Sequence, residues 1–278
     1  MLSGPGSLIT SRLKTSMWRA PARCSVSSLV AQRPFASLSK QPQNKIPTEW
    51  RRTLRRFTNS KWFSPEYVVY GIIGINCAVY LVWLYAQKNA KEFRDYKLLQ
   101  FMYKNFMISW PSTVEQFRWW TIFTASFSHM EFMHLLVNMM TLYFFGIPVA
   151  AFLGSARFLS IYLLASAPTS LLTLIYQYYK ASTEFSRSHV PVPVSSSLGA
   201  SGNTMSAIVI FTCLNPLATI YLYFIPIPAY LATVGLILHD LWGHFSNQQS
   251  RTNFIAHLAG AGFGFVYYWR HIRKAIRR

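Results

Sequence analysis

The sequence predicts an all-α fold, a polytopic membrane protein built on six transmembrane helices, and three observations carry that expectation. Only 13% of the 278 residues are charged, whereas 52% are hydrophobic and 17% aromatic; a soluble domain of this size carries about 25% charge. Uncharged stretches of about 20 residues, the length that crosses a hydrocarbon core, recur along the chain. The 27 Lys and Arg outnumber 8 Asp and Glu, for a net charge of +19. They flank the apolar runs instead of lining a polar face, so the basic balance does not point to nucleic acid.

The N-terminus reads as an address. No acidic residue occurs before Glu49, while Arg12, Lys14, Arg19, Arg23, Arg33 and Lys40 stand among many serines. Arg-rich, Ser-rich and acid-poor is the composition of an organellar transit peptide. No apolar core of secretory type precedes residue 60, and Arg33-Pro34-Phe35-Ala36-Ser37 is similar to a matrix-processing site. Residues 1–36 are therefore expected to be a mitochondrial transit peptide, and 37–65 a basic matrix-side segment with Arg51, Arg52, Arg55 and Arg56. No span is expected within 1–65. Cys24, Cys77 and Cys213 match neither a disulfide framework nor a zinc pattern.

Gaps in charge count the spans. Glu66 and Lys88 bound the first, Glu131 and Arg157 the second, Arg157 and Lys180 the third. Residues 188–239 carry no Asp, Glu, Lys or Arg and hold two helices, broken at Asn215-Pro216. The last gap runs from Thr252 to Trp269, before a basic tail. Spans are thus expected near 67–86, 131–148, 157–178, 199–215, 218–238 and 254–269. An even count puts both termini on one side, and their basic character puts that side inside, here the matrix.

Polar groups within spans are expensive and point to function. Span two holds His134 and Asn138, four residues apart and so on one face. Span four opens on Gly199-Ala200-Ser201-Gly202, and span six on Ala256-His257. All three spans run the same way, so these first-turn groups converge at one depth, near the outer surface. That convergence suits acyl transfer. A serine hydroxyl needs a base to take its proton, and His257 is the candidate, because imidazoles as a class titrate near the operating pH. His134, Asn138 and the Ser201 N–H can donate to an oxyanion, where one donor is worth about 3 kcal/mol. Gly199 and Gly202 allow close approach to the serine, and Gly260 and Gly264 give span six a small-residue stripe for packing on span four. Taken singly, each piece has a plainer reading: Ser201, Gly260 and Gly264 as packing residues, His257 and Asn138 as interhelical hydrogen-bonders. The combination favours a site.

At these residues the chain resembles the rhomboid family, over about residues 66–271. The matching pieces are His129-x4-His134-x3-Asn138, Gly199-Ala-Ser201-Gly202 and Ala256-His257-x2-Gly260-x3-Gly264. The resemblance implies a six-helix rhomboid protease domain over 66–271, followed by a matrix-side tail, 272–278. It implies an intramembrane serine endopeptidase with a Ser201–His257 dyad that lacks an acid, His134 and Asn138 at the oxyanion, and no metal or cofactor. It implies single-span membrane proteins as substrates, cut in or near their transmembrane segment. With its transit peptide the chain looks most like the mitochondrial branch, whose members process inner-membrane proteins such as a dynamin-like GTPase. Its active site would open to the intermembrane space. One departure is Trp120-Thr121 where many rhomboids carry Trp-Arg.

Other protease chemistries fail on the sequence. His129-Met130-Glu131 is not H-E-x-x-H, Asp240 is the only acid from 188 to 278, and Asn203 breaks the hydrolase elbow. His239, Asp240 and His244 are expected in a wet interfacial loop at the outer end of span five, with a metal site as the other reading. An inactive rhomboid-like scaffold or a transporter is the alternative function.

Overall fold

The computed structural model describes residues 63–188, 195–222, 224–245 and 254–276. The expected transit peptide and the Arg51–Arg56 cluster lie outside the described residues. Helix α1, Pro65–Phe93, starts where Ser64 Oγ caps the Tyr67 N–H at 3.5 Å and Pro65 occupies the first helical position. It ends at Arg94, which takes the left-handed conformation at φ 55°. Its buried residues Val69, Ile72, Asn76, Trp83, Ala86 and Ala90 lie at helical spacing on one stripe.

The connector that follows is an ordered body. Helix α2, Lys97–Phe106, packs on α1 through Trp83, Ala86, Met102 and Met107. A π turn at Pro111–Glu115 and a helical turn at Thr121–Thr124 come next, held together by Thr113 and Thr121 hydroxyls 2.8 Å apart.

Helix α3 runs from Phe132 to Leu153. It widens to a π turn at Leu142–Gly146, and two residues further on stands Pro148, which has no N–H to give to the ladder. Helix α4, Ser155–Ser188, carries Pro168 inside it. Val69 of α1, Leu142 and Val149 of α3, Phe158 and Tyr162 of α4, and Ala207 and Ile210 of α5 (Ser201–Leu214) form one buried apolar cluster.

Helix α5 is buried all round: ten of its fourteen residues are buried, serines and threonines included. Among the described residues α1, α3 and α4 are long and apolar enough to cross a membrane, and α5 is a shorter apolar helix.

The fifth expected span is corrected. Residues 218–222 and 224–228 are not helical; β1, Thr219–Leu222, pairs antiparallel with β2, Ile225–Pro228. Pro226 and Pro228 cause this, since each pushes the isoleucine before it to extended backbone and would break a helix ladder. Helix α6 therefore starts at Ala229 and runs to Phe245, carrying His239, Asp240 and His244 within it and not in a loop. Helix α7, Phe254–Tyr267, continues through a π turn at Tyr268–Ile272.

Candidate active site

Ser201 is the first residue of α5, at a helix start whose leading N–H groups have no intrahelical acceptor. The segment before it is clamped from two sides. Ile108 and Ser197 exchange backbone hydrogen bonds at 2.8 and 2.9 Å, and the Gly199 N–H donates to the Ala125 carbonyl at 2.9 Å. The first connector thus fixes where the serine stands.

Gly199 has φ 128°, a conformation that side chains strain to adopt. A Cβ there would lie 2.7 Å from Cε1 and 3.0 Å from Nε2 of His134, so that edge of the imidazole abuts this glycine. His134 itself sits in the first turn of α3, its ring 4.8 Å from that of His129 at 73°. Asn138, one turn on, is buried. Its Nδ2 donates to the His134 carbonyl at 2.8 Å, and its Oδ1 accepts from the Thr204 hydroxyl at 3.1 Å. The second of these bonds ties α3 to α5 one turn below Ser201, and one amide hydrogen of Asn138 is left uncommitted.

Helices α5 and α7 meet backbone to backbone. A Cβ on Gly260 would collide with the Gly202 carbonyl, and one on Gly264 would lie 2.6 Å from the Ser206 carbonyl oxygen. The Ser206 hydroxyl crosses the same seam to the Gly260 carbonyl at 2.8 Å. One turn higher, the Ala256 carbonyl would lie 2.9 Å from a Cβ on Gly202. The residue after Ser201 therefore touches the residue before His257. A small cavity of about 20 Å³ opens there, bounded by Ser126, Thr169, Ser170, Gly199, Ser201 and Ala256. It is large enough for one water.

Sequence reasoning missed four neighbours. His129 is fully buried, and its Nε2 accepts the Ala200 N–H at 3.3 Å; its Nδ1 has no hydrogen-bond partner among the described residues. Burial, with the like charge His134 would carry, pushes its pKa down to about 3, so it stays neutral. Its place in the motif with His134 and Asn138 was the available signal. Thr204 gave none. Asp240 is only 3% exposed, and its Oδ2 lies 3.1 Å from His257 Nδ1. The sequence reading lost it because the fifth helix was expected to end at 238. Ser128, finally, accepts the Trp83 indole N–H at 2.7 Å and anchors the 125–131 segment to α1.

Residues 116–274 match the model of the family described as "Rhomboid domain". RHOMBOID-like protein 12, mitochondrial, of Arabidopsis thaliana is 34% identical over 214 residues, which cover 74% of this chain and 59% of that protein. Rhomboid protein 1, mitochondrial, of Saccharomyces cerevisiae is 34% identical over 224 residues, covering 77% of this chain and 56% of the yeast protein. Presenilin-associated rhomboid-like protein A, mitochondrial, of Danio rerio is 26% identical over 210 residues, 72% of this chain and 46% of the fish protein. The matched region thus spans less than two thirds of each of these relatives.

Proposed function

This chain belongs to the rhomboid family, in its mitochondrial branch, and on that premise we propose that it is an intramembrane serine endopeptidase of the mitochondrial inner membrane. Ser201 is the nucleophile and His257 its base. His134, Asn138 and the Ser201 N–H serve the oxyanion. The observation that supports the reading is the close approach of Gly202 on α5 to the Ala256 carbonyl on α7, each being the chain neighbour of one member of the proposed pair. As Ser201 Oγ adds to a peptide carbonyl, its proton passes to His257 Nε2 and then to the leaving amine. Water repeats the sequence to release the acyl group from the serine. The cavity beside Ser201 suits that water, being lined by hydroxyls that can orient it.

In this proposal six helices, α1 and α3 to α7, cross the bilayer within residues 66–271. Residues 1–36 are removed on import, while 37–65 and 272–278 face the matrix. The first turns of α3, α5 and α7 then lie toward the intermembrane space. Substrates are single-span membrane proteins, a dynamin-like GTPase of the inner membrane being one candidate, and the chemistry needs no metal or cofactor. The test is cleavage of a transmembrane reporter by the purified chain in liposomes, beside fluorophosphonate labelling. Ser201→Ala should abolish both while the protein stays folded, since it loses one hydroxyl. Equal cleavage by variant and parent would end the protease reading and leave an inactive scaffold.

A further inference from the structure

The buried carboxylate on α6 has no part in a two-residue mechanism, yet it sits against one of the two residues. Asp240 is only 3% exposed. A carboxylate taken out of water is costly unless paired or hydrogen-bonded. Its two oxygens face two imidazoles: Oδ2 lies 3.1 Å from His257 Nδ1, and Oδ1 lies 3.5 Å from His239 Nδ1. The two imidazoles differ in setting. The His239 side chain is 71% exposed and that of His257 19%. Asp240 therefore reaches solvent on one side through His239 and the candidate site on the other through His257.

We propose that Asp240 positions His257, accepting its Nδ1–H so that Nε2 is left free to take the Ser201 proton. An ionised carboxylate can only accept a hydrogen bond, so the ring nitrogen facing it must carry the hydrogen. That choice fixes the tautomer of the neutral ring. It also holds the plane of the ring, and α6 supplies the hold from outside the α5–α7 seam. When the Ser201 O–H bond breaks and Oγ bonds to the substrate carbon, the proton moves to Nε2. His257 becomes an imidazolium, and Asp240 balances that charge without itself being protonated. The inference rests on Ser201 and His257 being the reacting pair, and it adds an orienting acid to them.

The test compares cleavage of a transmembrane reporter by the full chain in liposomes as parent, Asp240→Asn, Asp240→Glu, Ser201→Ala and His257→Ala. The last two should not cleave. Asp240→Asn should lower kcat about 10- to 100-fold, the rate equivalent of one hydrogen bond to a charged group, with KM unchanged. Asp240→Glu should restore part of the loss. The other titratable groups on this side are His239 on α6 and His134 on α3, which interacts electrostatically with His257; both are kept in every variant. Parental kcat in Asp240→Asn, with Ser201→Ala and His257→Ala inactive, would overturn the inference and leave the protease standing. Parental cleavage by Ser201→Ala would instead overturn the protease. A measurement on the parent needs no folded Asp240 variant. In ¹⁵N-histidine spectra of the protein in micelles, the signals lost in His257→Gln should belong to an Nδ1–H tautomer, and an Nε2–H tautomer there would refute the inference.

Discussion

Helices α1 and α5 are both apolar, yet they relate to the rest of the bundle in opposite ways. Helix α1 has 29 residues and buries six of them along one stripe. Helix α5 has fourteen and buries ten, on every side. A helix buried along one stripe packs at a periphery, whereas one buried on every side lies inside. The inner helix can be short because it is enclosed by neighbours along its length, and its own start can then sit within the bundle at Ser201. The outer helix shows most of its surface to its surroundings, with Leu81, Tyr85 and Phe93 among its exposed residues. Sequence changes should therefore register very differently in the two.

The largest effect is expected where α5 meets α7. Gly260→Leu would drive a side chain into the Gly202 carbonyl, which is backbone and cannot swing away. Overpacking of even flexible neighbours costs about 1–3 kcal/mol, so the loss here should reach at least about 3 kcal/mol and take cleavage with it. Thermal unfolding in micelles and reporter cleavage measure the two. A variant with parental Tm would mean that the seam is looser than its geometry, and that α5 is not enclosed.

A smaller effect separates the head of α5 from α1 by pH. Every buried residue of α1 is non-titratable, whereas the N–H of Ala200, just before α5, is held by the buried His129. The folded pKa of His129 is pushed down to about 3 by burial first and His134 second, against about 6.5 in an unfolded chain. Between those values the unfolded state binds one more proton, so stability falls as pH falls. The contribution is complete above pH 6.5 and shrinks toward pH 3, by up to about 1.4 kcal/mol per pH unit. His129→Gln, which keeps an acceptor and cannot charge, should show a shallower decline in Tm from pH 7 to pH 5 than the parent. Parallel declines would place the acid sensitivity elsewhere.

How much of this could be read in advance depended on the kind of information involved. The helices α1, α3 and α4 were legible because lipid forbids charge over about twenty residues, and the gaps bounded by Glu66, Lys88, Glu131, Arg157 and Lys180 are visible without any fold. The Gly260 and Gly264 stripe was legible because its spacing is that of a helix face. The start of α6 was not, because a count of charge does not see that Pro226 and Pro228 hold an apolar stretch extended. That single error moved Asp240 out of a helix and into an imagined loop. Its contact with His257 crosses between two helices, and no periodicity in either announces it. The Thr204 hydroxyl on Asn138 was hidden for the same reason: a threonine at the fourth position of an apolar helix looks like any small packing residue.

The smallest effect should come from α1 itself. Gly71 and Gly74 lie on its exposed surface, and a Cβ at either would meet nothing within 4 Å. Both have helical neighbours, and neither shows the positive φ that marks Gly154 and Gly199. Alanine therefore fits without strain, removes backbone freedom from the unfolded chain and raises helix propensity. Each of Gly71→Ala and Gly74→Ala should stabilise by about 0.5–1 kcal/mol and leave reporter cleavage at the parental rate. The contrast with Gly260 is direct, since the same residue type is indispensable where helices touch and replaceable where they do not. The pair is also the most exposed test of the comparison. Small residues on a membrane helix are where a second helix can approach closely, so a face that looks open in one chain can be covered in the bilayer. Unfolding in micelles and in liposomes distinguishes the two cases. A gain in both media would fix α1 as an outer helix with a free face. A loss confined to liposomes would show that another helix packs on Gly71 and Gly74 there, and α1 would then be as enclosed as α5.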